Sequence, residues 1–282
     1  MIDNFAVFIT SHNSPNECKS LDSLRLAGYK GKVYIVIDDL DPAKDKYHYD
    51  DLLVFDKEKY VRSLDTGLPS KSPQYSAVLY ARAAVEDFAK QMHLNYFCVL
   101  DDDIVGFRFR YIDKMCKLRA SQVSDMESVF SAYTEYMQDC SIACLSFAND
   151  GSFIAGADAV LSGTMLERRT CHTIFIRKVS IPIDWSFAIN EDYITSIREG
   201  NSGKLFFTLP FVQRTITGMN DRANGMHDVY ATTSDFQRSF YSVIACPWTC
   251  TPKMYKGKYV NGMCKDTAFP KIVSSRYRKI AN

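Results

Sequence analysis

Tyr96-Phe97-Cys98-Val99-Leu100-Asp101-Asp102-Asp103-Ile104 is an apolar run that stops on three consecutive carboxylates. A short apolar run ahead of a turn has the length of a buried strand. In open α/β sheets the ligand crevice lies just outside the carboxyl ends of the strands. Three aspartates there repel one another unless something positive joins them. A divalent cation with oxygen ligands, Mg²⁺ or Mn²⁺ carrying a diphosphate, suits that position best. The plain alternative is an acidic turn whose side chains are solvated.

Working outward from this segment, strands and helices alternate. Ser76–His93 directly precedes it and spaces Ala77, Leu79, Tyr80, Ala83, Ala84, Phe88 and Met92 as the buried face of an amphipathic helix. Phe5–Thr10 reads as a first strand ending on the polar turn Ser11-His12-Asn13-Ser14-Pro15. A helix from about Pro15 to Leu26 is expected to stop at Gly28. Lys32–Ile37 is a second buried strand that also ends on acids, Asp38 and Asp39, and Leu52–Phe55 is a short third strand. This alternation predicts an α/β fold with a mainly parallel, Rossmann-like twisted sheet and crossover helices. Downstream, Met126–Cys140 reads as a helix, with Ile142–Phe147 and Thr173–Ile176 as strands. Asn190 opens another helix whose first turn holds Glu191 and Asp192. Two readings of that acidic pair stand side by side: favourable carboxylates at a helix start, or a general base facing the aspartate site.

The 282 residues suffice for one large domain with a substantial core. Hydrophobic content of 46% with 24% charged residues is that of an ordinary globular protein. No apolar stretch approaches the roughly 18–20 residues that span a bilayer, so no membrane association is expected. The segment Met1–Val7 lacks a basic region and reads as the start of the first strand rather than a signal peptide. Nine scattered cysteines suit reduced thiols in a cytoplasmic protein. The spacing Cys246-Pro-Trp-Thr-Cys250 with Cys264 lacks the second close pair of a zinc site.

Net charge is +1, but residues 253–282 hold eight basic residues against Asp266 alone, interleaved with Tyr255, Tyr259, Phe269 and Tyr277. Such a mixture suits a phosphate backbone and exposed bases, and equally a solvated tail. We therefore take residues 1–235 as the main unit. Residues 236–282 form a basic, aromatic extension packed on or near an acceptor site.

Taken in order, these features resemble GT-A-type nucleotide-sugar glycosyltransferases over about residues 5–230. The opening is more particular. Thr10-Ser11-His12-Asn13, then Leu24-Arg25, Ala27-Gly28-Tyr29, Gly31 and Val33-Tyr34-Ile35-Val36-Ile37-Asp38-Asp39, with Asp41 and Tyr47, is similar to the TET-associated glycosyltransferases. Those are mostly phage enzymes that glycosylate 5-hydroxymethylated pyrimidines in DNA. The resemblance implies a GT-A-like single domain, a UDP-sugar donor, and Mn²⁺ or Mg²⁺ held by Asp101 and Asp103 with His227 as third ligand. It implies that Thr10, Ser11, Asn13, Asp38, Asp39 and Arg82 meet the donor nucleotide, with Asp102 between sheet and ribose. Asp192 becomes the candidate base, with Glu191 the alternative.

The implied acceptor is DNA carrying hydroxymethylated pyrimidine, most simply 5-hydroxymethylcytosine, in the cytoplasm (the host's, if the protein is viral). A hydroxymethyl group has a very high pKa, so a base that takes its proton during attack is expected. If the pyrimidine is extruded, Trp185, Phe187 or Tyr193 are candidates to stack on it. Arg168, Arg169, Arg214 and Arg222 are candidates for phosphate contacts. A protein or glycan acceptor, and a binding protein without turnover, are the competing readings. A metal-dependent nuclease would leave the Asn13 and Asp39 turns unexplained.

Overall fold

A computed structural model describes residues 4–67, 78–153, 156–157, 174–216, 235–256 and 261–267. The strands are β1 (Phe5–Thr10), β2 (Val33–Asp38), β3 (Leu52–Phe55), β4 (Tyr96–Asp101), β5 (Ile104–Ile112), β6 (Leu118–Gln122), β7 (Ile142–Ala148), β8 (Ile174–Lys178), β9 (Leu205–Ile216), β10 (Cys250–Lys256) and β11 (Asn261–Thr267). The helices are α1 (Lys19–Leu26), α2 (Lys57–Ser63), α3 (Val78–Gln91), α4 (Met126–Cys140), α5 (Glu191–Asn201) and α6 (Asp235–Ala245).

Nine strands form one sheet in the order β3-β2-β1-β4-β8-β7-β9-β5-β6. Its first half, β3-β2-β1-β4, is entirely parallel, as the strand-helix alternation predicts. The second half is mixed: β7 and β9 are parallel, while β4 with β8, β8 with β7, β9 with β5 and β5 with β6 are antiparallel. The short loop between β5 and β6 leaves no room for a crossover, so these two must pair as a hairpin.

Both faces of the parallel half are covered. Along β1, Val7 and Ile9 face one core with Leu24 of α1 and Phe130 of α4, while Ala6 and Phe8 face the other with Leu79, Tyr80 and Ala84 of α3. In β4, Cys98 and Leu100 join the first core and Phe97 and Val99 the second. The continuous apolar runs of these strands follow from burial on both sides.

Helix α1 starts at Lys19, four residues later than its expected start at Pro15. The intervening residues are held as a loop: Asp41 accepts the Asn13 amide at 2.8 Å, and the Tyr47 hydroxyl accepts the Ser14 amide at 2.9 Å. The helix does stop at Gly28, whose φ is +83°. A Cβ there would lie 2.2 Å from the Ser124 carbonyl oxygen, so only glycine fits. Helix α2, opened by Asp56 capping the Lys59 amide at 3.1 Å, is an element the apolar periodicity does not announce.

In the C-terminal region, β10 and β11 form an antiparallel hairpin. Cys246 and Cys250 pack against Ile194 and Ile197 of α5. Neither thiol belongs to a candidate metal cluster among the described residues. No described helix is long and apolar enough to cross a membrane.

Candidate functional site

The site lies at the carboxyl ends of β1, β2 and β4, where parallel strands aim their last residues toward one edge of the sheet. Thr10 ends β1, Asp38 ends β2 and Asp101 ends β4.

The aspartate turn is latched from below by α1. Ser20 Oγ donates to the Asp101 carbonyl at 2.5 Å and accepts the Ile104 amide at 2.9 Å, and Ser23 Oγ donates to the Ile104 carbonyl at 2.9 Å. Small hydroxyls on the buried face of α1, beside Leu24, are the signal in the sequence that such a latch leaves.

Asp101 is crowded by protein atoms yet keeps partial contact with solvent. Its carboxyl is pushed up to about 7, chiefly by burial and further by Asp103 and Asp102, against the downward pull of Arg82 and Arg214. The charges of Asp102 and Asp103 thus act on Asp101, the electrostatic crowding that the sequence suggests. Among the described residues no group of three or more His, Cys, Asp or Glu side chains forms a candidate metal cluster. His227, the third ligand implied by resemblance, lies outside the described residues.

Asp102 is separated from its neighbours by a hydrogen-bond chain of fixed direction. Ser11 Oγ donates to Asp102 Oδ2 at 2.6 Å, and Ser11 Oγ lies 3.1 Å from the Tyr47 hydroxyl. Because the Ser11 proton goes to the carboxylate, Tyr47 donates to Ser11 while accepting the Ser14 amide. Burial raises the Tyr47 phenol to about 12, so it stays protonated and able to donate.

At the end of β2, Asp38 is buried, with His12 Nδ1 at 3.3 Å and Lys57 Nζ at 3.5 Å. Burial pushes the Asp38 carboxyl up, but the His12 hydrogen bond and the Lys57 charge outweigh it and hold the group below the usual range. Lys57, 4% exposed at the start of α2, is a site residue that the sequence reading missed. Its amide also donates to Asp39 Oδ1 at 2.9 Å. Asp39 remains partly exposed and Asn13 fully so. Thr10 is buried and its hydroxyl donates to the Leu100 carbonyl at 3.3 Å, which ties β1 to β4.

Arg82 is not on a solvated helix face. It is 3% exposed, its Nη1 donates to Oε1 of Glu191, and its guanidinium lies 5.2 Å from the Phe175 ring centroid and 5.6 Å from that of Trp185. Burial alone would lower its pKa, but the charges of Glu191, Asp101 and Asp192 more than reverse this. One cation therefore sits among three site carboxylates.

Asn190 precedes α5 in the left-handed region, φ 58°, without a side-chain cap. Glu191 is consequently an ion-pair partner of Arg82 rather than a cap, whereas Asp192 stays partly exposed and accepts the Tyr193 amide at 2.8 Å. Trp185 is buried against Phe175 as a platform for Arg82. Phe187 and Tyr193 keep partial exposure. Arg214 is buried near enough to Asp101 to act on its charge, while Arg168, Arg169 and Arg222 lie outside the described residues.

The fold is similar to glucosyl-3-phosphoglycerate synthase from Mycobacterium tuberculosis, solved with Mg²⁺ and uridine diphosphate, at a TM-score of 0.47 and 9% identity over 96% of this chain and 89% of that one. It is also similar to mannosyl-3-phosphoglycerate synthase from Rubrobacter xylanophilus, at a TM-score of 0.42 and 9% identity over 94% and 86% of the two chains. No curated protein sequence matches this chain. The model of one family does, and it spans both strand-end acid clusters and the Glu191–Asp192 helix: over residues 5–219 the chain matches, and it belongs to, the TET-Associated Glycosyltransferase family.

Proposed function

We propose that this glycosyltransferase moves a sugar from a UDP-sugar to the hydroxyl of a 5-hydroxymethylpyrimidine in DNA, most simply 5-hydroxymethylcytosine. The observation that carries the reading is that Asp101, Glu191 and Asp192 act together on one buried cation, Arg82, which is hydrogen-bonded to Glu191. Family membership supports glycosyl transfer, and the family's link to hydroxymethylated bases supports the acceptor.

The donor set fits a hard divalent cation. Carboxylate oxygens suit Mn²⁺ or Mg²⁺, and burial together with the charges of Asp103 and Asp102 burdens Asp101 in a way that added positive charge relieves. Asp101 and Asp103 would hold the ion, with His227 as third ligand. When bound, it supplies Lewis-acid neutralisation of the charge that builds on the departing diphosphate.

The chain's own groups do the rest. Asp39, partly exposed, and Asn13, exposed, meet the base and ribose hydroxyls, while Asp38, Lys57 and Ser11 hold that wall in shape. Asp102, gripped by Ser11, faces the ribose. Asp192 takes the proton of the hydroxymethyl group as its oxygen bonds to the anomeric carbon and the bond from that carbon to the phosphate oxygen breaks. The Glu191 carboxylate pairs with Arg82, which favours Asp192 over Glu191 as the base. Phe187 and Tyr193 are the aromatic side chains available to stack on an extruded base. Such an enzyme works where the DNA is, in the cytoplasm of the cell that carries it.

Measurement of UDP release tests this. With Mn²⁺ and a panel of UDP-sugars, release stimulated by hydroxymethylated duplex and not by plain duplex is expected. Release indifferent to DNA but stimulated by a protein or glycan acceptor would overturn the reading.

A further inference from the structure

We infer that the β5–β6 ribbon is a docking surface for the phosphate backbone of duplex DNA. This rests on the DNA-acceptor reading and extends it to a binding surface. Residues 104–122 carry Arg108, Arg110, Lys114, Lys117 and Arg119 against one acid, Asp113. The ribbon thus has a surplus of four positive charges and residues 253–282 a surplus of seven. With a formal net of +1, the rest of the chain therefore carries ten more negative charges than positive. A polyanion is repelled by that body and drawn to the basic segments.

The ribbon's one acid is consumed in shaping its tip. Asp113 accepts the Met115 and Lys117 amides, each at 2.9 Å, and Arg119 Nε at 2.7 Å. Arg110 lies over the Phe153 ring, 4.5 Å from its centroid, and is only half-exposed. Arg108, Lys114 and Lys117 are exposed and have no ion-pair partner among the described residues. They are the charges left for a ligand. Tyr111, 50% exposed, sits directly across from Arg119, and Met115 at the tip is 70% exposed.

Position favours the same partner. The ribbon begins one residue after Asp103, and its root is pinned through Ile104 to Ser20 and Ser23 of α1. At ~3.4 Å per residue, Arg108 lies about 14 Å along the strand from Ile104 and the end of β5 about 27 Å. Cations on a stiff ribbon can therefore engage several phosphates, which recur about every 3.4 Å along each strand. β6 is the terminal strand of the sheet, with Arg119–Gln122 exposed, so its outer side is open to a large partner among the described residues.

The test compares the full-length chain with Arg108→Ser/Lys114→Ser/Lys117→Ser, and with the equally neutralised control Lys30→Ser/Lys44→Ser/Lys90→Ser. Binding to a short plain duplex is followed by fluorescence anisotropy over a salt series. Each lost phosphate contact lowers the slope of log K against log salt by about 0.9. The ribbon variant should lose roughly two to three units of slope and about tenfold or more in affinity at low salt, with the control within twofold of wild type. A coincident melting transition shows that the ribbon variant is folded; if it is not, Lys114→Ser alone should lower the slope by about one unit. Equal binding by ribbon variant and control overturns the inference. So does a ribbon variant that self-associates while keeping its duplex affinity, because the cations then guard an edge strand. Wild type without salt-dependent duplex binding overturns the DNA-acceptor reading itself.

Discussion

Arg82 on α3 donates Nη1–H to Glu191 Oε1 on α5, and this one ion pair gives two adjacent acids different surroundings. Glu191 and Asp192 are neighbours in sequence with equal intrinsic chemistry. Glu191 is buried and hydrogen-bonded to a buried guanidinium that Phe175 and Trp185 flank. Asp192 stays partly exposed.

The two acids should therefore respond differently to substitution. Asp192→Asn should lower kcat by about 10²–10⁴ with little change in donor KM, the usual range for loss of a general base. Glu191→Gln should retain far more of kcat and instead lower the melting temperature. Steady-state kinetics of UDP release on both variants checks this, and equal loss of kcat in the two would contradict it.

Arg82→Ala leaves Glu191 buried without its partner. Breaking a buried pair from one side costs about 3–5 kcal/mol, so a melting temperature lower by several degrees is expected in calorimetry. Arg82→Lys should rescue little, because a point charge does not reproduce the planar fork stacked between two rings.

The Ser11–Tyr47 chain should behave as one unit. Ser11→Ala removes the donor to Asp102, a charged hydrogen bond of about 1.5–3 kcal/mol. Tyr47→Phe removes the group that orients Ser11. In a double-mutant cycle on donor binding, the two effects should fall short of additivity by about 0.5 kcal/mol or more. Full additivity would show that the chain is not coupled.

Acid stability should report the Asp38–Lys57 pair. Asp38 is held below its unfolded value, so its contribution to stability is complete above the ordinary aspartate pKa of about 3.9 and is lost as pH falls through the folded value. The stability gap between wild type and Lys57→Met, measured in urea, should be largest at pH 5 to 7 by this linkage and shrink below about pH 4. A gap that widens toward low pH would contradict the pairing.

Legibility in the sequence followed locality. The parallel half of the sheet, its strand-end acids and the Gly28 stop were readable because apolar runs, turn residues and a glycine each act within a few positions. The mixed half was less so: β5 is amphipathic, β6 is mostly exposed, and β9 is joined to its partners by contacts distant in sequence. At the site, the aspartates announced themselves by charge. The burial of Arg82 did not: three residues after Leu79 it flanks the apolar face, but an arginine is read as solvated unless its partner is in view. Its partner lies 109 residues away, beyond any periodicity. Lys57 was missed for the same reason, as an isolated lysine carries no mark of burial.

The central claim is sugar transfer to hydroxymethylated DNA at the Asp101 site. The most direct measurement is the mass of nucleosides released by digestion after 5-hydroxymethylcytosine DNA is incubated with the protein, Mn²⁺ and a panel of UDP-sugars. The account predicts a nucleoside heavier by one hexose or pentose with at least one donor, absent on plain DNA, after metal chelation, and with Asp101→Asn or Asp103→Asn. Unmodified nucleosides with every donor, from a preparation that releases UDP when given a protein or glycan acceptor, would contradict it.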